Sequence, residues 1–218
     1  MNSKKKLFHD SGGFNPKLGV LIPNITFVGN FEEEIANIKF NEKGVEQFFV
    51  NHSFIQEDKI WDKQDPSDFE WKDSYYKCPQ IASIIDWLNL PIGVAKVLND
   101  KPDYQLPLHN DLDNIKNEGV GDIVRIFVQL NENHNHFHNR FKTTDSDITI
   151  QQQKGQIYIF NADTVAHEST ITSGTRYRNS LMVIAKRNEW LNNIMTSQNV
   201  VPTIIDCKKL AHDKRSKK

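Results

Sequence analysis

The sequence is poor in cysteine and lacks any long hydrophobic run. Its two cysteines, Cys78 and Cys207, stand far apart and form no CxxC pair, so a disulfide framework is not expected and a reducing compartment fits best. No stretch approaches the roughly 20 apolar residues that a membrane-spanning helix needs. The lysines Lys4–Lys6 lead into a polar segment rather than into a secretory apolar stretch. We therefore expect a cytoplasmic protein without a membrane segment.

The chain also lacks an excess of either charge. Its 218 residues include 27 basic and 28 acidic side chains, which gives a formal net charge of −1. Nucleic-acid binding over a broad surface needs a basic footprint, so this balance argues against it. The two ends are exceptions, since both are rich in lysine or arginine. We interpret them as solvated tails, with a weak tether to phosphate or nucleic acid as the alternative.

The hydrophobic content of 38% is enough for one core, or for a core with a small lobe. We expect a flexible N-terminus over residues 1–19, a single domain over 20–188, and a C-terminal helix with a basic tail over 189–218. Within the domain, Pro79 opens a segment with isoleucines and leucine at helical spacing, and Pro91 ends it. The aromatic stretch Trp61–Tyr76 is either a lid over a cleft or a loop that its rings anchor to the core, and we favour the anchor.

Short strands dominate from residue 92 onward. In IVRIFVQL (Ile123–Leu130), one face is entirely aliphatic, and the other carries Ile123, Arg125, Phe127 and Gln129. A strand with one face on the core and the other on a polar cavity has this pattern. Four further strand-like runs follow at short spacing. The pattern predicts an α+β fold that is mainly β, with N-terminal helices flanking a sandwich or barrel, such as a double-stranded β-helix (a cupin-like jelly roll), over about residues 92–188.

Two histidines and one aspartate form a candidate metal site. His109 and Asp111 are two residues apart, and on a strand such residues point to the same face. His167 lies in a separate strand-like run and has to approach through the fold. Two imidazoles and one carboxylate suit Fe(II) or Mn(II), and they leave one face of the ion open for chemistry. The alternative is that each histidine is an ordinary hydrogen-bonded residue near a barrel rim.

An arginine follows the second histidine and is a candidate to bind an acid. On a strand from Arg176 to Ile184, one face would carry Arg176, Arg178, Ser180 and Met182. An arginine inside a narrow barrel is costly unless its charge is met. No acidic residue is adjacent in sequence, although one could approach through the fold, and a dicarboxylate ligand could pair with the guanidinium. We favour Arg176 for this role over Arg178; an exposed strand arginine is the alternative.

A second group of histidines alternates in the run HNHFHN, at His134, His136 and His138. This group could bind a metal if the run were a strand. Its neighbours are asparagine and glutamate, which favour turns. We therefore favour a solvated loop with only adventitious metal affinity.

These motifs resemble the iron(II)/2-oxoglutarate-dependent dioxygenases, in particular the prolyl and lysyl hydroxylase branch. The runs HND, RIFVQLNEN, KGQIYIFNADTVAHES and GTRY carry the resemblance, which covers roughly Ile92 to Arg187. It implies that His109, Asp111 and His167 hold Fe(II), and that Arg176 pairs with the distal carboxylate of 2-oxoglutarate. The chain departs from the pattern where the hydroxylases often carry a tyrosine for that carboxylate, since Gln129 stands there. Ser180 and Arg178 complete the expected co-substrate residues.

The resemblance implies a dioxygenase that uses Fe(II), 2-oxoglutarate and dioxygen. Such an oxidoreductase would hydroxylate a C–H bond of a protein, peptide or amino acid, and would release succinate and CO2. Two alternatives stay open: a non-catalytic cupin-like module that binds a metal or a small acid, and a dioxygenase directed at a nucleobase. A non-redox lyase, isomerase or hydrolase is less favoured, because a non-redox metal has no use for the distal arginine.

Overall fold

The computed structural model describes residues 6–7, 13–15, 20–52, 66–102, 104–109, 123–133, 138–142, 147–161, 165–170, 175–189, 191 and 202–215. Two mainly antiparallel sheets face each other within this part of the chain, and short helices flank them. The architecture is mainly β, and it is the double-stranded β-helix that the strand pattern predicts.

The larger sheet has eight strands among the described residues, in the order β2-β3-β12-β9-β14-β7-β5-β6. Their bounds are Gly13–Asn15 (β2), Val20–Ile22 (β3), Val45–Asn51 (β5), Phe69–Trp71 (β6), Ile92–Asp100 (β7), Ile123–Gln129 (β9), Ile157–Asn161 (β12) and Arg178–Lys186 (β14).

The smaller sheet has five described strands, in the order β1-β11-β10-β13-β8. They are Lys6–Leu7 (β1), Leu106–His109 (β8), His138–Lys142 (β10), Asp147–Ile150 (β11) and Ala166–Thr170 (β13). A separate parallel pair joins Ile25–Val28 (β4) to Thr203–Asp206 (β15). The helices are Phe31–Ile35 (α1), Asp73–Lys77 (α2), Pro79–Leu88 (α3) and Cys207–Arg215 (α4), with a 3-10 turn at Pro66–Asp68.

Described segments near both ends of the chain pair with strands of the fold, and the predicted division into tails and one domain stays a prediction. Strand β1 pairs with β11, and β2 pairs with β3. The reason is that an edge strand offers unpaired N–H and C=O groups to any extended neighbour. Near the C-terminus, β15 pairs with β4, and Cys207 and Ala211 of α4 are buried.

The two faces of strand β9 have different surroundings: one packs in the hydrophobic core, and the other lines a cavity. Val124, Ile126 and Val128 are fully buried on one face, where they join the core formed with the helices. Arg125 and Phe127 point to the opposite face and line the cavity. The alternation read from the sequence is therefore confirmed, because successive strand residues point to opposite sides of the sheet.

The helix predicted after Cys78 is confirmed as α3, although it ends earlier than Pro91. Ile81, Ile84, Ile85 and Leu88 are at most 1% exposed. The helix ends at Asn89, which adopts the left-handed conformation with a φ of 46°. At the other end, the carboxylate of Glu34 accepts hydrogen bonds from the backbone N–H groups of Gln80 and Ile81. A negative side chain there satisfies free N–H groups and suits the helix dipole.

The aromatic stretch acts as an anchor over its described residues. Trp71 lies 4.5 Å from Phe49 and 4.2 Å from Tyr75 between ring centroids, and Phe49 also contacts Phe69 edge to face. Phe69 and Tyr75 pack against the main core. Trp61 lies outside the described residues. Among the described helices, none is long and apolar enough to cross a membrane.

Candidate active site

A cavity of about 620 Å³ lies between the two sheets. The larger sheet contributes side chains from β7, β9, β12 and β14, and the smaller sheet contributes side chains from β8, β10 and β13. The turn before β5 and the connection between β7 and β8 form its rim. This size is ordinary for a pocket that binds a small molecule.

His109 and His167 meet on the wall that the smaller sheet provides. They are direct partners in the antiparallel pairing of β8 with β13. Their ring centroids are 4.3 Å apart, and the ring planes are inclined at 50°. Both side chains line the cavity, and His167 is only 7% exposed. The spatial convergence that the sequence analysis required of these two residues is present.

Hydrogen bonds to the backbone fix which ring nitrogens can bind a metal. Nδ1 of His109 lies 2.7 Å from the carbonyl oxygen of Pro107, and Nδ1 of His167 lies 3.1 Å from that of Val165. A carbonyl only accepts, so each neutral ring donates from Nδ1 and carries its lone pair on Nε2. This is the arrangement that usually orients a metal-binding histidine.

Aromatic side chains hold His167 in place and shield it from water. The ring of Phe160 lies 4.7 Å from that of His167, and Phe141 lies 6.5 Å away and nearly parallel. Phe141 is also the β10 partner of His167 in the sheet. The histidine pair therefore faces a largely apolar part of the cavity, where electrostatic interactions are stronger than in water.

The third predicted ligand, Asp111, lies outside the described residues. Within the described part of the chain, no three His, Cys, Asp or Glu side chains form a group that could hold a metal. The assignment of Asp111 stays a prediction that rests on its spacing from His109.

The structure places Arg178, rather than Arg176, in the cavity, which corrects the favoured choice between these two arginines. Strand β14 begins at Arg178, so Arg176 lies in the bend before the strand and is exposed. Arg178 is only 5% exposed and lines the cavity. Strand β14 begins two residues later than the sequence pattern predicted. Residues two apart on a strand lie on the same face, so Arg178 has the orientation that was expected for Arg176.

The charge of Arg178 is met by an acidic residue that approaches through the fold. Nη1 donates to Oδ2 of Asp100 at 3.1 Å, and Asp100 is the β7 partner of Arg178 in the sheet. Burial raises the pKa of Asp100, and the guanidinium opposes that rise only in part. A ligand carboxylate would therefore join an existing ion pair rather than meet a lone cation.

Gln129 and Ser180 do not line the cavity as co-substrate residues were expected to. Oε1 of Gln129 accepts a hydrogen bond from Nε of Arg178 at 3.0 Å, and its Nε2 donates to Asn131. Both ends of this amide are thus engaged within the protein, and Gln129 orients the arginine. Ser180 is fully buried next to it, and its hydroxyl has no hydrogen-bond partner among the residues that the structure describes.

Tyr158 was not predicted from the sequence, and its side chain is buried in the cavity wall on β12. Burial raises the pKa of Tyr158, and the nearby charge of the Arg178 guanidinium opposes the rise. The alternation of residues in QIYIF could have predicted which side chains of this strand face the cavity. Tyr158 pairs with Phe127, which lies on the cavity face of β9.

The histidine-rich run does not form a second site in the described residues. His138 begins β10, on the strand face opposite to Asn139 and Phe141, which line the cavity. On that outer face, Arg140 bridges Asp147 and Glu168. His134 and His136 lie outside the described residues.

Comparison with known proteins identifies the architecture. No family model matches the chain, and no curated protein matches it. Among solved structures, an oxidoreductase of the 2OG-Fe(II) oxygenase family from Burkholderia pseudomallei superposes with a TM-score of 0.59 at 9% identity, over 85% of this chain and 96% of that one. This chain has the 2OG-Fe(II) oxygenase fold. In this fold, the cavity between the sheets is where His109, His167 and Arg178 converge.

Two further structures are similar at lower scores. A non-haem α-ketoglutarate-dependent carbocyclase from nogalamycin biosynthesis has a TM-score of 0.48 at 10% identity, over 79% of this chain and 81% of that one. A prolyl-4-hydroxylase from Pseudomonas putida has a TM-score of 0.36 at 20% identity, over 49% of this chain and 60% of that one.

Proposed function

We propose that this protein is an Fe(II)- and 2-oxoglutarate-dependent dioxygenase that hydroxylates a C–H bond of a protein, peptide or amino acid. The observation that carries the proposal is the pair of imidazoles in a cavity between the two sheets that is also lined by a buried arginine. The fold provides the context, since it is that of an oxygenase family.

The residues present fit a ferrous ion. His109 and His167 each offer Nε2, and both rings are held by a carbonyl at Nδ1. Two neutral imidazoles are the nitrogen part of the donor set that non-haem Fe(II) prefers, and Asp111 would complete that set with a carboxylate. Oxidation of a C–H bond, with release of succinate and CO2, is the chemistry that iron, 2-oxoglutarate and dioxygen supply together.

The protein's own part is to bind, orient and exclude water. Arg178 would receive the distal carboxylate of 2-oxoglutarate, with Tyr158 nearby and Gln129 holding the guanidinium in position. Phe127, Phe141 and Phe160 form one stacked and tilted aromatic cluster next to the histidines. Such a wall keeps water from the reacting centre and strengthens the charge interactions inside it.

The first prediction compares two arginines that lie two residues apart. With Mn(II) as a redox-inert substitute, 2-oxoglutarate should bind Arg178→Ala roughly thirty-fold or more weakly than the wild type, because a buried charged contact is lost. Arg176→Ala should bind normally, because its side chain is exposed. Calorimetric titration measures both affinities, and thermal melting confirms that each variant is folded.

Turnover gives the second half of this test. Succinate formation should require added Fe(II) and should be lost in His109→Ala and His167→Ala. Unchanged succinate formation in either histidine variant would contradict the proposed metal site. Equal effects of the two arginine variants would contradict the assignment of Arg178.

A non-catalytic module that binds a small acid is the second candidate. It requires binding only, and the two imidazoles and the arginine that line one cavity are sufficient for a metal and a small acid to bind there. Under this alternative, 2-oxoglutarate with Mn(II) would raise the melting temperature, yet no succinate would form with Fe(II) and dioxygen. Decarboxylation by the wild type that is abolished in His109→Ala would exclude it.

A further inference from the structure

Among the residues that the structure describes, the exposed ones that line the cavity all lie at one end of it. They belong to the turn before β5 or to the connection between β7 and β8, and they are Glu42, Lys43, Lys101 and Tyr104. The lining residues of β10, β12, β13 and β14 are buried. The backbone N–H of Asn99 donates to the carbonyl of Gly44 and joins the turn to the end of β7. The cavity therefore opens between this turn and the β7–β8 connection, where a substrate can enter.

The lining of the cavity carries more positive than negative charge, although the whole chain is almost neutral. Within the described part of the chain, five of the lining side chains are basic and two are acidic. The basic ones are Lys43, Lys96, Lys101, Arg125 and Arg178, and the acidic ones are Glu42 and Asp100. The cavity thus has an excess of three positive charges, in a chain whose formal net charge is −1.

The proposed metal and co-substrate do not remove this excess. Fe(II) brings two positive charges, whereas 2-oxoglutarate and the predicted ligand Asp111 together bring three negative charges when ionised. Their sum is a single negative charge, so the filled cavity keeps most of its positive excess. A cleft lined by charges of one sign attracts ligands of the opposite sign. The excess therefore favours a substrate that carries a negative group.

Lys96 on β7 is the basic residue best placed to bind that group. It is half-buried and lines the cavity inside the opening. Its β14 partner is Met182, which also pairs with Phe127 on β9, so the three side chains form one row across the cavity floor. Neighbouring strands lie roughly 4.8 Å apart, so the row from Lys96 to Phe127 spans about 10 Å. Arg125 lies two residues beyond Phe127, farther from the opening.

The floor beyond Lys96 leads to the proposed reacting centre. Phe127 stacks on Phe160 with ring centroids 6.2 Å apart, and the ring of Phe160 lies 4.7 Å from that of His167. A lysine suits the near end of such a floor, because its aliphatic stem packs on apolar surface while its ammonium group meets a charged partner. A substrate bound through Lys96 would therefore extend over apolar side chains towards the histidines.

We propose that Lys96 is a specificity-determining residue that binds a carboxylate of the substrate, and that the substrate is an acidic peptide or amino acid. Lys43 and Lys101 attract this substrate at the opening. The inference rests on the proposed function, because it concerns the substrate of the same dioxygenase. A polynucleotide is the less favoured anion, because the chain as a whole lacks the basic footprint that phosphate backbones require.

The test compares two mixtures of pentapeptides with blocked ends, which differ only in the central residue: glutamate in one and glutamine in the other. Equilibrium dialysis with Mn(II) and 2-oxoglutarate present, followed by mass spectrometry, measures how strongly each mixture binds. The wild type should bind the glutamate mixture about fivefold or more tightly than the glutamine mixture, because it gains a charged contact in a half-buried site. This preference should vanish in Lys96→Gln and should be reversed in Lys96→Glu.

Lys39→Glu is the matched control, because it makes the same change of charge at an exposed position that does not line the cavity. It should keep the preference for glutamate. The milder Lys96→Gln keeps the test decisive should Lys96→Glu not fold.

Three results would overturn the inference. The wild type binds neither mixture or shows no preference between them; the Lys96 variants keep the preference as Lys39→Glu does; or a single-stranded oligonucleotide binds more tightly than either mixture. Succinate formation by the wild type with Fe(II) and dioxygen, measured separately, then shows whether the proposed dioxygenase activity stands without this substrate class.

Discussion

At the scale of single residues, two thiols show how strongly burial controls reactivity here. Cys78 and Cys207 are free and at most 1% exposed. Cys78 donates weakly to the carbonyl oxygen of Glu34, and the carbonyl of Cys207 accepts from the Ser83 hydroxyl. Burial raises the pKa of each thiol from its ordinary value of 9.0 to about 12. The thiolate is the reactive form, so both cysteines are held in their inert form.

The prediction is that neither thiol reacts with a disulfide reagent at pH 8 in the folded protein, while both react at once in guanidinium chloride. Absorbance of the released thiol measures this directly. The pKa values are raised in the folded state, so the stability they contribute is complete below pH 9 and is lost as the pH rises towards 12. Fast reaction of either cysteine at pH 8 without denaturant would show that α3 and α4 open locally.

The residues of the site differ in how far a sequence can predict them. His109 and His167 were predictable, because their chemistry and their strand-like surroundings are both local. Arg178 was assigned only as the alternative, since the choice depends on where β14 begins. Asp100 could not be predicted as its partner, because the two are 78 residues apart and only the pairing of β7 with β14 brings them together.

At the scale of secondary-structure elements, the predictable parts are those with a strong internal period. Helix α3 and strand β9 follow from the spacing of their apolar residues, which the burial pattern reproduces. Pairing between distant segments does not follow from such a period. Strand β1 pairs with β11 at an edge that only the assembled smaller sheet offers. Strand β15 pairs with β4, and these two segments from opposite ends of the chain meet only in the folded molecule.

One turn between elements depends on a glycine. Gly155 precedes β12, has a φ of +79°, and a Cβ there would lie 2.0 Å from the carbonyl oxygen of Phe27. Its N–H donates to Gln129, and its carbonyl accepts from Phe27. Gly155→Ala should lower the free energy of unfolding by more than the roughly 1–3 kcal/mol of the backbone conformation alone, because backbone atoms must also move. Urea unfolding measures the loss.

Gly29→Ala is the control for that prediction. A Cβ at Gly29 would meet side-chain atoms of Phe31 and Gln80 at 2.8 and 2.9 Å, and flexible side chains can move away. It should therefore destabilise the protein clearly less than Gly155→Ala. Equal losses of unfolding free energy from the two substitutions would contradict the view that the turn at Gly155 holds β12 against β4.

At the scale of the whole molecule, the cavity lies between the two sheets, and each sheet forms one of its walls. The smaller sheet supplies His109, His167 and Asn139, and the larger sheet supplies Arg178 and Tyr158. The helical core packs on the opposite face of the larger sheet, where Val124 and Ile126 are buried with α3 and α4 residues. A ligand that contacts both cavity walls would join the sheets and stabilise the folded state by mass action.

Hydrogen exchange can test this coupling. When Mn(II) and 2-oxoglutarate bind together, backbone amides of β8, β10 and β13 in the smaller sheet and of β7 and β14 in the larger sheet should exchange more slowly, because opening either wall now requires the ligand to leave. The β4–β15 pair and α4 belong to the core on the opposite face of the larger sheet, so they should change least. Slowed exchange confined to one sheet in the wild type would mean that the acid rests on a single wall, and would remove the basis for a site shared between the sheets.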